Sequence, residues 1–315
     1  MGNAVNYHRP QRDDICVALA FYSPVGWRTP IMHFLNVRKG LSASQIPTFC
    51  IELVQPGVKA VTRTTKHLCE THVIESESVL FHKENLFNIL EQRIPQQFTK
   101  VIFLDADISM SQIDWVDRTS NILDHVSCCQ PFDFAEWFDK SGNRIQNGSA
   151  CGKFSAGFAI AKNETPRVDR YHPGFSWAWN REAFRRCGGF YDRHPVGGGD
   201  VATAFSLWPA DKDMPISRWL TNDAAFAGTE TFKAYRKKVF ESAISVGYVA
   251  DNTARHSYHG SARDRRYHDR AVFIPAMING EYPMTNRFSD GLLEWDDIAS
   301  NERMIEFFRG RNEDA

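Results

Sequence analysis

Three apolar runs and one helical stripe organise the first third of the chain. Residues 15–21 read Ile-Cys-Val-Ala-Leu-Ala-Phe, a continuous run that predicts a buried strand. It stops at Tyr22-Ser-Pro-Val-Gly-Trp27, where Pro24 and Gly26 break it. Residues 47–54 predict a second strand, closing on Glu52-Leu-Val before Gln55-Pro-Gly57. Over 79–90, Leu80, Leu86, Phe87 and Leu90 recur at helical spacing, while Lys83, Glu84 and Asn88 take the other faces. Val101, Ile102, Phe103 and Leu104 form the third run, β-branched and aromatic, suited to a central strand buried on both faces. Strand, helix and strand in alternation predict an α/β fold with a mainly parallel sheet.

Further along, 121–134 predicts another strand and a loop, and 139–152, rich in Gly, Asn and Ser, a surface loop. Residues 154–161 read as a strand, and 181–186 as a short helix capped by Gly188 and Gly189. A long helix is predicted over 224–246, a loop-like stretch from Pro275, and a final helix over 298–309.

Composition narrows the class without naming a function. The chain has 315 residues, 43% hydrophobic and 24% charged, as expected of a globular protein of one large domain or two joined halves. Lys and Arg number 37 against 38 Asp and Glu, so no basic field points to nucleic acid. No apolar run approaches the roughly 18 residues a membrane span needs. The stretch 1–14 is polar and lacks a signal-peptide core, and Asn6 stands where a myristoylation motif wants Ser or Thr. The seven cysteines are scattered without Cys-x-x-Cys spacing, which reads as reduced thiols in a cytoplasmic protein.

Chemistry enters directly after the third run, where the chain reads Asp105-Ala-Asp107-Ile-Ser. In extended backbone, residues two apart face the same way, so both carboxylates would meet one spot beyond the strand's carboxyl end. Ligands of open α/β sheets bind there, and paired carboxylates are hard ligands for Mg²⁺ or Mn²⁺. Two solvated turn residues would give the same pattern. So would a haloacid-dehalogenase-type phosphatase, which places Asp-x-Asp-x-Thr after a strand. The stretch 172–200 is the densest in chemistry. It holds Trp177-Ala-Trp179-Asn-Arg-Glu-Ala-Phe, then Gly-Gly-Phe-Tyr-Asp, then Gly197-Gly-Gly199-Asp200. The three glycines allow close approach of backbone to a ligand and set Asp200 at its edge. Arg255-His-Ser-Tyr-His259-Gly260 and a basic segment with Arg263, Arg266 and Arg270 follow.

Taken together and in this order, Asp105-Ala-Asp107, 172–200 and His259-Gly260 resemble a GT-A-fold glycosyltransferase, closest to the family-2-like and polypeptide GalNAc- and galactosyltransferase-like enzymes. The resemblance covers roughly residues 13 to 275. It implies a nucleotide-sugar-binding half over 1–130, an acceptor-binding and catalytic half over 131–275, and a C-terminal tail over 276–315. It implies Asp105, Asp107 and His259 as metal ligands, the imidazole favouring Mn²⁺ over Mg²⁺. Tyr22, Glu52, Lys83, Asp105, Arg263 and Arg266 would contact a nucleotide-sugar donor, expected to be a UDP-sugar. Trp177, Trp179, Gly198 and Gly199 would face a glycan, glycoconjugate or protein hydroxyl acceptor, with Asp200 as base of an inverting transfer. His256 reads as the weaker metal candidate, because the glycine follows His259. A retaining transferase and a non-catalytic sugar-binding protein on the same scaffold remain alternatives. The phosphatase reading is disfavoured, since Gly199-Asp200 is followed by Val-Ala-Thr-Ala without a second acid.

Overall fold

A computed structural model describes residues 7–146, 151–165, 167, 169–209, 229–269 and 283–315. Apolar strands that lack a polar face must be covered on both sides, and the central sheet shows this. Its seven strands run β11-β6-β10-β4-β1-β2-β3. They are β1 (Ile15–Tyr22), β2 (Thr48–Val54), β3 (Glu70–Glu75), β4 (Lys100–Leu104), β6 (Cys128–Gln130), β10 (Ser176–Asn180) and β11 (Val246–Tyr248). Each ladder is parallel except where β10 runs antiparallel between β4 and β6. Side chains alternate along β4: Val101 and Phe103 enter one core layer with Phe87, Trp177 and Trp179, while Ile102 and Leu104 enter the other with Phe34 and Trp115. The α/β fold with a mainly parallel sheet flanked by helices is the one expected.

The chain leaves β1 toward β2 on one side and later returns to β4 on the other. The carboxyl ends of β1 and β4 therefore border the crevice where such a sheet changes direction. A second sheet, β5-β12-β7-β8-β9, starts there. It contains β5 (Ile108–Met110), β7 (Phe134–Trp137), β8 (Lys153–Ser155), β9 (Tyr171–His172) and β12 (Thr253–His256). The strands crossing from 131–275 into the first sheet, and the 283–315 segment packed on the first half, join all described elements into one domain.

The helices are α1 (Arg28–Ala43), α2 (Lys83–Arg93), α3 (Trp115–Leu123), α4 (Ala156–Ala161), α5 (Arg181–Cys187), α6 (Gly199–Leu207), α7 (Glu230–Glu241) and α8 (Ile298–Arg309). Three depart from the sequence pattern. Helix α2 begins at Lys83 because Val79 and Phe81 give their N–H groups to Asn301 and Pro195. Residues 156–161, expected to extend a strand, turn helical because Ser155 caps them by accepting from Phe158 N at 2.9 Å. Gly157 then lets the helix lie on β11, since a Cβ there would sit 2.6 Å from the Gly247 carbonyl. The helix expected over 224–246 is confined, among described residues, to α7. Thr229 caps its start, Val246 already belongs to β11, and 224–228 lie outside the described residues. The loop expected from Pro275 lies outside them up to residue 282, and beyond that the chain forms an antiparallel pair, Met284–Asn286 with Leu293–Trp295, instead of a loop.

Strand β10 is locked in place by the residue after it. Arg181 is buried at 5% exposure and uses all five guanidinium donors. Nε donates to Glu91 Oε1 at 2.7 Å, Nη1 to the carbonyls of Pro95 and Phe98, and Nη2 to those of Glu91 and Ile94. Substituting Arg181→Met should therefore cost about 3–5 kcal/mol in denaturant unfolding, because four carbonyls lose their partner and the buried Glu91 keeps only the exposed Arg185. A cost under about 1 kcal/mol would show that water replaces the guanidinium without penalty.

Candidate active site and metal centre

Asp107 leads directly into β5, and β5 pairs antiparallel with β12 so that Ile108 faces His256. That register delivers the His256 ring to the Asp107 carboxylate. The loop after β12 brings back His259. Asp107 Oδ2 lies 3.2 Å from His256 Nε2 and 2.9 Å from His259 Nε2, and the two imidazole nitrogens are 3.2 Å apart. Among the described residues, these three form the group able to hold a metal ion. Donor atoms on adjacent corners of an octahedron, each ~2.1 Å from an ion, are ~3 Å apart, so one carboxylate and two imidazoles fit a Mn²⁺-like cation.

Gly260, at φ +99°, carries the chain past His259 under the C-terminal segment, where a Cβ would sit 2.7 Å from the Asn312 carbonyl. Glu313, buried behind the ring, accepts from His259 Nδ1 at 2.9 Å and is itself paired with Arg311. Metal-binding imidazoles are commonly oriented by such an outer carboxylate. Burial opposes protonation of His259, but hydrogen bonds to Asp107 and Glu313 outweigh it and raise the imidazolium to about 9. Burial would likewise raise Asp107, yet the two histidines hold it well below the carboxylate range. His256 is lowered by burial, against the pull of Asp107.

Asp105 stands apart from this group. Its Oδ2 accepts from Lys83 Nζ at 3.1 Å, and Lys83 is also 3.7 Å from Glu84. Burial, beyond what Lys83 offsets, raises Asp105 to about 6 and Glu84 to about 7. The charges of Asp105, Glu84 and Asp200 overcome burial to keep Lys83 protonated above its ordinary range. Asp200 belongs to the first turn of α6, where its Oδ1 accepts from Val201 N at 2.8 Å. Its other oxygen fills the space that a side chain at Gly174 would need, 2.3 Å from that Cβ position. The buried His172 Nε2 lies 3.4 Å from the same point and has no hydrogen-bond partner among the described residues.

Lys83, Asp105, Asp107, His259 and Asp200 thus converge, and other sequence candidates do not. Trp177 and Trp179 are 3% and 0% exposed within the core layer around Phe103, which corrects their expected place on a sugar platform. Strand β10 is covered on both faces, so its alternate residues have no open side. Trp137, half-buried against His172 and Phe175, is the aromatic that borders the site. Both carboxylate oxygens of Glu52 are engaged by Val61 N, Thr62 N and the Thr62 hydroxyl, so Glu52 anchors the 61–65 turn. Tyr22 packs edge-on to His82, and its buried hydroxyl has no hydrogen-bond partner among the described residues.

Gly198, at φ +105°, is the left-handed residue that opens α6. Gly199 makes room for Glu84, whose side chain a Cβ would approach at 2.6 Å. Arg263 is exposed, and Arg266 pairs with Asp269 at 2.5 Å. It is Arg265, at 3.2 Å from His259 Nε2, that reaches the metal group, while Arg270 lies outside the described residues. Sequence reasoning also missed His256 as a full member, and Glu313. Beyond the carboxyl ends of β1 and β2, a groove of about 480 Å³ opens between Pro24, Val25, Gln55, Pro56 and Phe308 of the final helix.

No protein-family model matches the chain, and no curated protein matches it. Solved structures do. GalNAc-T7, solved with UDP, GalNAc and Mn²⁺, aligns over 95% of this chain and 55% of its own at 13% identity and a TM-score of 0.45. The catalytic domain of Drosophila β1,4-galactosyltransferase 7, in complex with xylobiose, aligns over 75% of this chain and 64% of its own at 9% identity and 0.37. Glucosyl-3-phosphoglycerate synthase from Mycobacterium tuberculosis, with Mn²⁺, UDP-glucose and phosphoglyceric acid, aligns over 86% and 84% at 11% and 0.41. The chain spans less than two thirds of the length of the first two. These structural neighbours are GT-A nucleotide-diphospho-sugar transferases, the class that its motifs resemble.

Proposed function

We propose that the protein is a metal-dependent glycosyltransferase that moves a sugar from a nucleoside-diphosphate sugar, a UDP-sugar by the resemblance, to a hydroxyl acceptor. The observation that carries this reading is the Asp107–His256–His259 group at the carboxyl edge of the sheet, beside Lys83, Asp105 and Asp200. Asp107, His256 and His259 would hold a divalent cation, which would supply charge to offset the departing diphosphate. Lys83 supplies a second, fixed positive charge and orients Asp105 through its hydrogen bond. Arg265 adds a third at the edge of the site. The groove between Pro24, Gln55 and Phe308 is the natural seat for the nucleoside, since it opens beyond β1 and β2 on the same edge.

On the acceptor side, Asp200 is the base. Its Oδ1 is fixed by the α6 backbone, so Oδ2 can take a proton from a hydroxyl without rotating away. Trp137 offers the acceptor an apolar wall beside His172. The 1–130 segment is read as donor-binding and 131–275 as acceptor-binding and catalytic, with 283–315 contributing Glu313 to the metal group.

Two outcomes test this. Asp107→Asn, and His256→Ala nearly as much, should abolish the Mn²⁺-dependent rise in melting temperature given by UDP, because a neutral amide or a methyl no longer holds the ion. Asp105→Asn should weaken it less, its partner being Lys83. UDP binding unaffected by Asp107→Asn and by chelator would contradict the metal reading. Asp200→Asn should lower turnover by ~10²-fold or more with Mn²⁺ and UDP binding nearly normal. NMR of the product linkage then decides its role: an inverted anomer agrees with Asp200 as base, and a retained one restricts it to orienting the acceptor.

A further inference from the structure

Away from the site, β2 and the turn before β3 place two cysteines side by side. Cys50 is buried in β2, and Cys69, half-buried, ends the turn that Glu52 anchors. Their sulfurs are 3.2 Å apart. Arg38, buried in α1 at 1% exposure, points its guanidinium at Cys69, with Nε and Nη2 each 3.3 Å from the sulfur. The same guanidinium holds Thr65 and Thr71 on either side, so it cannot swing away. No carboxylate pairs with Arg38 among its hydrogen bonds; the group it faces as a charge partner is a thiol.

The other cysteines set the contrast. Burial pushes Cys16, Cys128 and Cys129 well up, and Cys187 to about 11. Cys69 alone moves the other way, to about 6, through the hydrogen bond from Cys50 and, against burial, the charge of Arg38. Cys50 is itself raised by burial and by Cys69, so Cys69 is the more readily ionised thiol of the pair. A partly exposed thiolate with a thiol in contact is the arrangement that oxidation selects.

We propose that Cys69 and Cys50 form a peroxide-reactive pair in which Cys69 is oxidised first and Cys50 resolves it to an intramolecular disulfide. The Cys69 thiolate displaces hydroxide from hydrogen peroxide, breaking the O–O bond and forming a sulfenic acid. The Cys50 thiol then attacks that sulfur, giving up its proton, and water leaves. The two sulfurs lose two electrons to the peroxide, which ends as water. Closing the S–S distance to a bond of ~2.05 Å needs a shift of about 1.2 Å, which the turn at Cys69 can supply more easily than the central part of β2. Once oxidised, Arg38 faces no anion, and the 61–69 turn is tied covalently to the strand.

The test is differential thiol alkylation with peptide mapping after a brief exposure of the full chain to micromolar hydrogen peroxide. The expected result is a mass loss of about 2 Da in a Cys50–Cys69 linked peptide, reversed by a dithiol, while the half-buried Cys151 stays alkylatable. Cys50→Ser should leave a sulfenic acid trapped by dimedone at Cys69. Cys69→Ser should abolish both products, with an unchanged melting temperature verifying that each variant folds. A sulfenic acid that persists on Cys69 in the unaltered chain with Cys50 still free, or oxidation of Cys151 before Cys69, would overturn the proposal.

Discussion

One ammonium group holds together the acidic side of the site. Lys83 lies within 3.1 Å of Asp105 and 3.7 Å of Glu84, and it feels the charge of Asp200. Three carboxylates around one cation in a partly desolvated crevice is an unbalanced arrangement, and the raised Asp105 and Glu84 show it. Removing Lys83 would leave Asp105 and Glu84 without the charge that offsets their burial and favour their protonation. The histidine side is balanced differently. There Asp107 stays ionised because two imidazoles and, behind them, Glu313 share one hydrogen-bonded chain. A cation entering that chain must displace the proton on His259 Nε2, whereas the Nδ1 proton is kept by Glu313. On the proposed metal reading, affinity would thereby be tied to Glu313, a carboxylate distant in sequence.

That long reach explains what the sequence did and did not disclose. Strand β4 was legible because a run without a polar face has few other uses, and the final helix forms over the expected 298–309, its start capped by Asp297 accepting from Ser300 N. That Asp105, Asp107, Lys83, His259 and Asp200 come together was legible from their order along the chain. Their individual contacts were not. Whether Asp105 or His256 joins Asp107 depends on the β5–β12 register, which pairs residues nearly 150 positions apart and leaves no local trace. Glu313 was hidden for the same reason. The tryptophans misled because alternation along β10 looks the same whether its faces meet solvent or two core layers; only the neighbours β4 and β6 decide. Residues 156–161 misled because an Ala-rich apolar run is neutral between strand and helix until Ser155 supplies a cap.

The acidic and histidine sides meet at Phe175, and its backbone shows how tightly. Phe175 holds φ +73°, a left-handed conformation that a bulky side chain adopts at a cost of about 1–3 kcal/mol. Its carbonyl accepts from Asp105 N at 2.9 Å, which fixes the backbone where the Asp-x-Asp turn begins. Its ring stacks on His256, 5.3 Å away at 19°, and touches His172 with centroids 3.9 Å apart. One residue therefore meets the aspartate backbone with its carbonyl and both histidine rings with its own ring. Gly174, kept free of a side chain by Asp200, sits directly before it. The strain is sustained because three contacts over-determine the position, and the two consecutive residues Gly174 and Phe175 thereby touch Asp200, Asp105 and His256 together.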